Sequence, residues 1–75
     1  MWIDNRGWIY FVRSGIGGEQ FKGYYAKTLE DYTNKIRLKT IRTLDWRDTK
    51  EEAEKDLKDY AIKHNLKKVR RIIYG

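Results

Sequence analysis

Seventy-five residues supply side chains for one hydrophobic core and no second, so residues 1–75 are read as a single domain. The chain is 40% hydrophobic, 37% charged and 15% aromatic, too rich in packing side chains for a disordered segment. It has no cysteine, which excludes disulfide frameworks and thiolate metal sites and suits a reducing cytoplasm. No apolar run approaches the roughly 20 residues that span a bilayer, and Met1-Trp2-Ile3-Asp4 carries an acid where a secretory signal carries bases, so neither export nor membrane insertion is expected.

The first expected element is a strand, Trp8-Ile9-Tyr10-Phe11-Val12-Arg13, dense in aromatic and β-branched residues. Ser14-Gly15-Ile16-Gly17-Gly18 follows as a hairpin tip. These glycines do not form a phosphate cradle, because neither the lysine-serine/threonine of a P-loop nor the spaced glycines of a dinucleotide fingerprint accompany them. Glu19 to Ala26 is the return strand, with Phe21 and Tyr25 on one face and Lys22 and Tyr24 on the other. Residues 27–34 are polar and read as a loop.

Lys35-Ile36-Arg37-Leu38-Lys39-Thr40 alternates as a third strand, apolar residues inward and cations outward. The phase slips after Thr40, which predicts a bend near Thr40 to Thr43 and leaves the face of Arg42 open. Thr49-Lys50-Glu51-Glu52 is a capping box that opens a helix. Ala53, Leu57, Tyr60, Ala61 and His64 form its buried stripe. Glu51 with Lys55, Glu54 with Lys58 and Asp59 with Lys63 are spaced for surface ion pairs. Asn65 ends the helix in the left-handed conformation with Leu66 folded back, and Lys67 to Tyr74 is a last strand. The expected fold is α+β: an antiparallel sheet of three to four strands on one helix, in the order β-β-β-α-β.

The net charge of +6 is unevenly laid out. Residues 35–47 carry five bases and one acid, and residues 67–75 carry four bases and none, while residues 48–66 are acidic overall. One helix covers one sheet face and leaves the other to solvent. Cations interleaved with flat rings on that open face, opposite an acidic helix, suit phosphate contact and base stacking. The candidate nucleic-acid-binding residues are Lys22, Tyr24, Lys35, Arg37, Lys39, Arg42, Lys68, Arg70 and Arg71, with Tyr10 and Lys67 as possible additions. His64 is the sole histidine, a last-turn residue suited to the negative helix end. Metal sites need several converging ligands, and a nucleophile needs a base, so no metal, cofactor or enzymatic activity is expected. Trp2, Trp8 and Trp46 are assigned to core or rim, and an exposed one is a candidate stacking residue.

The run Thr49 to Leu57, placed after three strands, resembles the helix of the amino-terminal arm-type DNA-binding domains of tyrosine recombinases. The resemblance implies a sheet laid in the major groove, with Lys22, Tyr24, Arg37 and Lys39 facing DNA, and it favours DNA over RNA. The basic strand after the helix departs from that pattern. The competing class is a protein-binding module: the chain also looks like small proteins of phages and mobile elements, including anti-CRISPR inhibitors that dock on a protein or nucleoprotein target. A homodimer formed through an edge strand is a third expectation.

Overall fold

In the computed structural model, which describes residues 1–70, the chain first reverses over Asp4-Asn5-Arg6-Gly7. The Gly7 amide donates to the Asp4 carbonyl at 3.0 Å, and Gly7 has φ +88°, a conformation glycine adopts at no steric cost. Asp4 Oδ1 accepts the amides of Arg6 and Trp8 at 2.8 and 3.0 Å, so one carboxylate organises the turn. It folds β1 (Trp2–Ile3) back on β2 (Ile9–Ser14), with Trp2 opposite Tyr10 and Ile3 opposite Ile9. This additional strand lies outside the expected order. Its trace in the sequence is a turn-forming Asp-Asn-Arg-Gly between two Trp-Ile pairs.

The hairpin forms as expected. β2 pairs antiparallel with β3 (Phe21–Ala26), from Ile9 opposite Ala26 to Ser14 opposite Phe21.

The expected loop at 27–34 contains a helix instead, α1 (Leu29–Asn34). The Thr28 hydroxyl accepts the Asp31 amide at 3.0 Å, and Glu30 and Asp31 sit in the first turn, where the helix dipole favours anions. Lys35 closes it with φ 56°, and the Ile36 amide donates to the Asp31 carbonyl at 3.1 Å. A six-residue helix falls below the about 12–15 residues at which an isolated helix is even marginal. Tertiary contacts therefore sustain it: Tyr32 lies edge-on to Phe11 at 5.0 Å, and the Arg37 guanidinium donates to buried Asp31.

The same closure shortens the third strand. Lys35 and Arg37 both have positive φ, which no strand accommodates, so only β4 (Lys39–Thr40) pairs, opposite Tyr25 and Tyr24. Ile36, expected inside, is 39% exposed. The predicted bend is present, with the Ile41 amide still donating to the Gly23 carbonyl at 2.9 Å and that of Leu44 to the Ile41 carbonyl.

α2 (Lys50–Lys63) begins at the capping threonine, whose hydroxyl oxygen accepts the Glu52 amide at 3.2 Å. It ends with Asn65 at φ 57°; the Leu66 amide donates to the Ala61 carbonyl and that of Asn65 to the Ile62 carbonyl, the paired pattern of a Schellman motif. Ala53, Leu57 and Ala61 are buried as read, whereas His64 is exposed, its ring tilted against that of Tyr60 at 4.1 Å. None of the three expected helix-surface pairs closes into an ion pair; among the described residues the acid-base pairs are Asp4 with Arg6, Asp31 with Arg37 and Asp56 with Arg47. Short solvated pairs of this kind contribute little, so side-chain entropy prevails.

β5 (Lys67–Lys68) pairs with β1 and completes a five-stranded sheet in the order β4-β3-β2-β1-β5. Residues 71–74 of the expected last strand lie outside the described residues. The fold class is thus α+β, a small antiparallel sheet packed on one main helix.

The core lies between α2 and one sheet face, where Tyr10, Ile41 and Leu57 are buried with Val12, Tyr25, Trp2 and Trp8 packed around them. Gly23 makes the approach possible: a Cβ there would lie 2.8 Å from Leu44 Cδ1 and 3.0 Å from Ile41 Cδ1. Arg47 bridges backbone-to-backbone with Phe21 and donates to Asp56 of α2 at 2.6 Å, tying the segment before α2 to sheet and helix together. Among the described residues no helix is long and apolar enough to cross a membrane.

Candidate nucleic-acid interface

Strand alternation sorts the side chains once the core face is known. Tyr10, Val12, Gly23 and Tyr25 point toward α2, so Phe11, Arg13, Lys22 and Tyr24 point away. Tyr10 thus belongs to the buried side, 4% exposed, contrary to its possible place on the open face. Its hydroxyl donates to Asp4 Oδ2 at 2.8 Å. Burial and that hydrogen bond push the Tyr10 phenol up to about 12. Burial would raise the Asp4 carboxyl, but hydrogen bonds from Arg6, Tyr10 and two amides outweigh it and hold the group below its ordinary value.

On the face turned from α2, four rings follow one another. Tyr32 of α1 meets Phe11 edge-on at 5.0 Å, Phe11 stacks on Tyr24 at 6.2 Å, and Tyr24 meets Trp46 edge-on at 6.2 Å. Trp46 is 40% exposed, the tryptophan that fulfils the condition for a stacking residue. It can lie there because Gly15 has no side chain: a Cβ would meet its ring at 2.7 Å. The Lys22 ammonium lies 5.6 Å from the same ring centre, and Arg13 is its cross-strand neighbour. Lys35, at the end of α1, lines a cleft of about 360 Å³ with Phe11, Arg13, Tyr32 and Leu38. Arg13, Lys22 and Lys35 form no ion pair among the described residues.

The predicted set divides. Lys22 and Tyr24 occupy the expected face, and Lys35 borders it. Arg37 is spent on Asp31, with Nε donating at 3.0 Å; the hydrogen bond it donates to that carboxylate raises the arginine pKa further. Lys39 lies opposite Tyr25 in the ladder and so turns to the α2 side, where Arg42 also lies, both lining a cleft with Tyr25 and Tyr60. The assumed strand was wrong, and with it the assumed parity of its cations. Lys68 sits at the far edge of the sheet, paired with Trp2 and 5.8 Å from its ring. Arg70 follows it, exposed, and Arg71 lies outside the described residues. Among the described residues, the charges before and after α2 therefore do not merge into one patch.

Arg13, Phe11 and Tyr32 were missed. Arg13 and Phe11 were legible, since they share parity with each other and oppose Lys22 and Tyr24 in a simple hairpin. Tyr32 was hidden by the loop assignment. Among the described residues no group of three or more histidine, cysteine, aspartate or glutamate side chains converges as a metal site. No protein family, characterised protein or solved structure matches the chain, so its chemistry is read from this geometry alone.

Proposed function

We propose that the chain binds single-stranded nucleic acid on the sheet face turned away from α2. The observation that carries this reading is the row Tyr32, Phe11, Tyr24 and Trp46, flanked by Arg13, Lys22 and Lys35 without acidic partners. Exposed rings stack on unpaired bases, each worth about 1–3 kcal/mol, while neighbouring cations follow the phosphates. A duplex keeps its base faces stacked inside, so a ring-bearing sheet gains less from it than from unpaired bases.

The test is a fluorescence titration of labelled single-stranded DNA, single-stranded RNA and duplex at two salt concentrations. Three phosphate contacts on a single strand predict a slope of log affinity against log salt of about −2. Single strands are expected to bind more tightly than duplex. Absence of binding at low salt overturns the proposal and turns attention to a protein partner.

A further inference from the structure

We infer that the cleft on the other side of the sheet, beside the C-terminal half of α2, is a separate anion site that takes a phosphate monoester, as carried by a mononucleotide or a strand end. The cleft has a volume of about 570 Å³, within the about 300–1,000 Å³ of small-molecule sites. Its cations are Arg6 from the β1–β2 turn, Lys39 from β4 and Arg42 from the turn after it. Its walls include Tyr10, Tyr25 and Tyr60, and no carboxylate of the described residues lines it.

Arg6 is already held in place. Its guanidinium lies 3.5 Å over the Trp8 ring, whose stacking partner is Tyr25 at 5.3 Å and 5° between planes. Nε and Nη2 donate to Asp4 Oδ2 at 3.1 and 2.8 Å, leaving Nη1 without an acceptor among the described residues. Asp4 does not compete for a cation, because Arg6, Tyr10 and the amides of Arg6 and Trp8 occupy both its oxygens. Lys39 and Arg42 form no ion pair among the described residues. The hydroxyls of Tyr25 and Tyr60 likewise have no hydrogen bond within the described residues and add accessible donors. After the Asp4–Arg6 pair is set aside, Lys39 and Arg42 leave two positive charges. A phosphate dianion matches both and the planar nitrogen of a preorganised arginine, whereas one carboxylate does not.

The experiment follows ¹H–¹⁵N spectra during titration with adenosine monophosphate, inorganic phosphate, and one oligonucleotide with either a 5′-phosphate or a 5′-hydroxyl. Saturable shifts at the Trp8 indole and the Lys39 and Arg42 amides are expected with the monophosphate. The pair Lys39→Gln and Arg42→Gln, both at exposed positions, should weaken it about tenfold or more. The variant Arg13→Glu/Lys22→Glu, on the opposite face, should bind the monophosphate unchanged, which separates failure of this site from failure of the nucleic-acid face. A preference for the 5′-phosphorylated oligonucleotide supports the site and assigns it to strand ends; equal oligonucleotide binding with retained monophosphate binding supports it and assigns it to free nucleotides. No shift at Trp8 with either phosphate ligand, or unchanged affinity in the double glutamine variant, overturns it.

Discussion

The two faces of the sheet use alternate residues of the same two strands and differ in what closes them. Toward α2, Tyr10 and Val12 meet a helix whose stripe is Ala53, Leu57 and Ala61, and Gly23 lets Leu44 and Ile41 fill the gap. Away from α2, Phe11 and Tyr24 meet only a six-residue helix and one tryptophan, so their rings stay half-exposed. The difference teaches where cations remain available for a partner. Arg37 and Arg47 lie within reach of carboxylates of α1 and α2 and are consumed by them, while Arg13 and Lys22 on the thinly covered face, like Lys39 and Arg42 on the α2 side, form no ion pair among the described residues.

The largest way to break the contrast is to remove the closed face. Leu57 is fully buried, so Leu57→Asp places an unpaired charge in the core and is expected to unfold the domain, read by loss of far-UV circular dichroism. Leu57→Ala should cost about 2–5 kcal/mol in urea denaturation.

Arg13→Glu with Lys22→Glu attacks the open face alone. Single-stranded nucleic-acid affinity should fall about a hundredfold at low salt with the unfolding midpoint little changed, since two attractions become repulsions at exposed or half-buried sites. Lys39→Glu, on the opposite side, is the matched control and should leave strand binding through the ring row nearly intact.

Asp4→Ala tests the turn that adds β1. The side chain is 10% exposed, and its loss leaves two amides without their acceptor and the Tyr10 hydroxyl with only the bond it accepts from Arg6 at 3.3 Å, at a cost of about 2–3 kcal/mol. Linkage gives the same group a pH signature. Its folded pKa lies below the ordinary 3.8, so its contribution is present above that pH and is lost as pH falls below it. Tyr10 behaves oppositely: raised from 10.0 to about 12, it makes stability decline as pH rises through that interval. Denaturant midpoints across both windows, compared between parent and Asp4→Ala, check both signs.

The smallest expected effect sharpens the contrast by separating backbone from charge. Lys35→Gly relieves a left-handed lysine and should stabilise the fold by about 0.5 kcal/mol. The same change removes a cation from the border of the ring row and should weaken strand binding slightly. Stability and affinity moving in opposite directions would mark Lys35 as a position kept for its charge.

Much of the architecture was legible. The hairpin, the threonine cap of α2 and its Asn65-Leu66 ending depend on residues within a few positions of one another, and local stereochemistry decides them. Strand parity alone places Lys22 and Tyr24 on one face, and that face is the one turned from α2. The segment Lys35 to Lys39 misled because alternation of cations and aliphatics suits a strand and a chain leaving a short helix equally well. Its conformation was decided by Asp31, which needs Arg37, and by Thr28, whose capping role lay in a stretch read as loop.

By itself the sequence determined the α+β class, the position of the main helix and the two-sided character of the central hairpin, because periodicity and capping act over a handful of bonds. Only the tertiary structure decided which face each cation serves, that Trp46 lies over Gly15 beside Tyr24, and that Arg6 and Asp4 lock the first turn under Trp8 and Tyr10. Those outcomes depend on which groups from distant segments come within a few ångströms, and Coulomb attraction and ring packing at that range are set by the folded geometry.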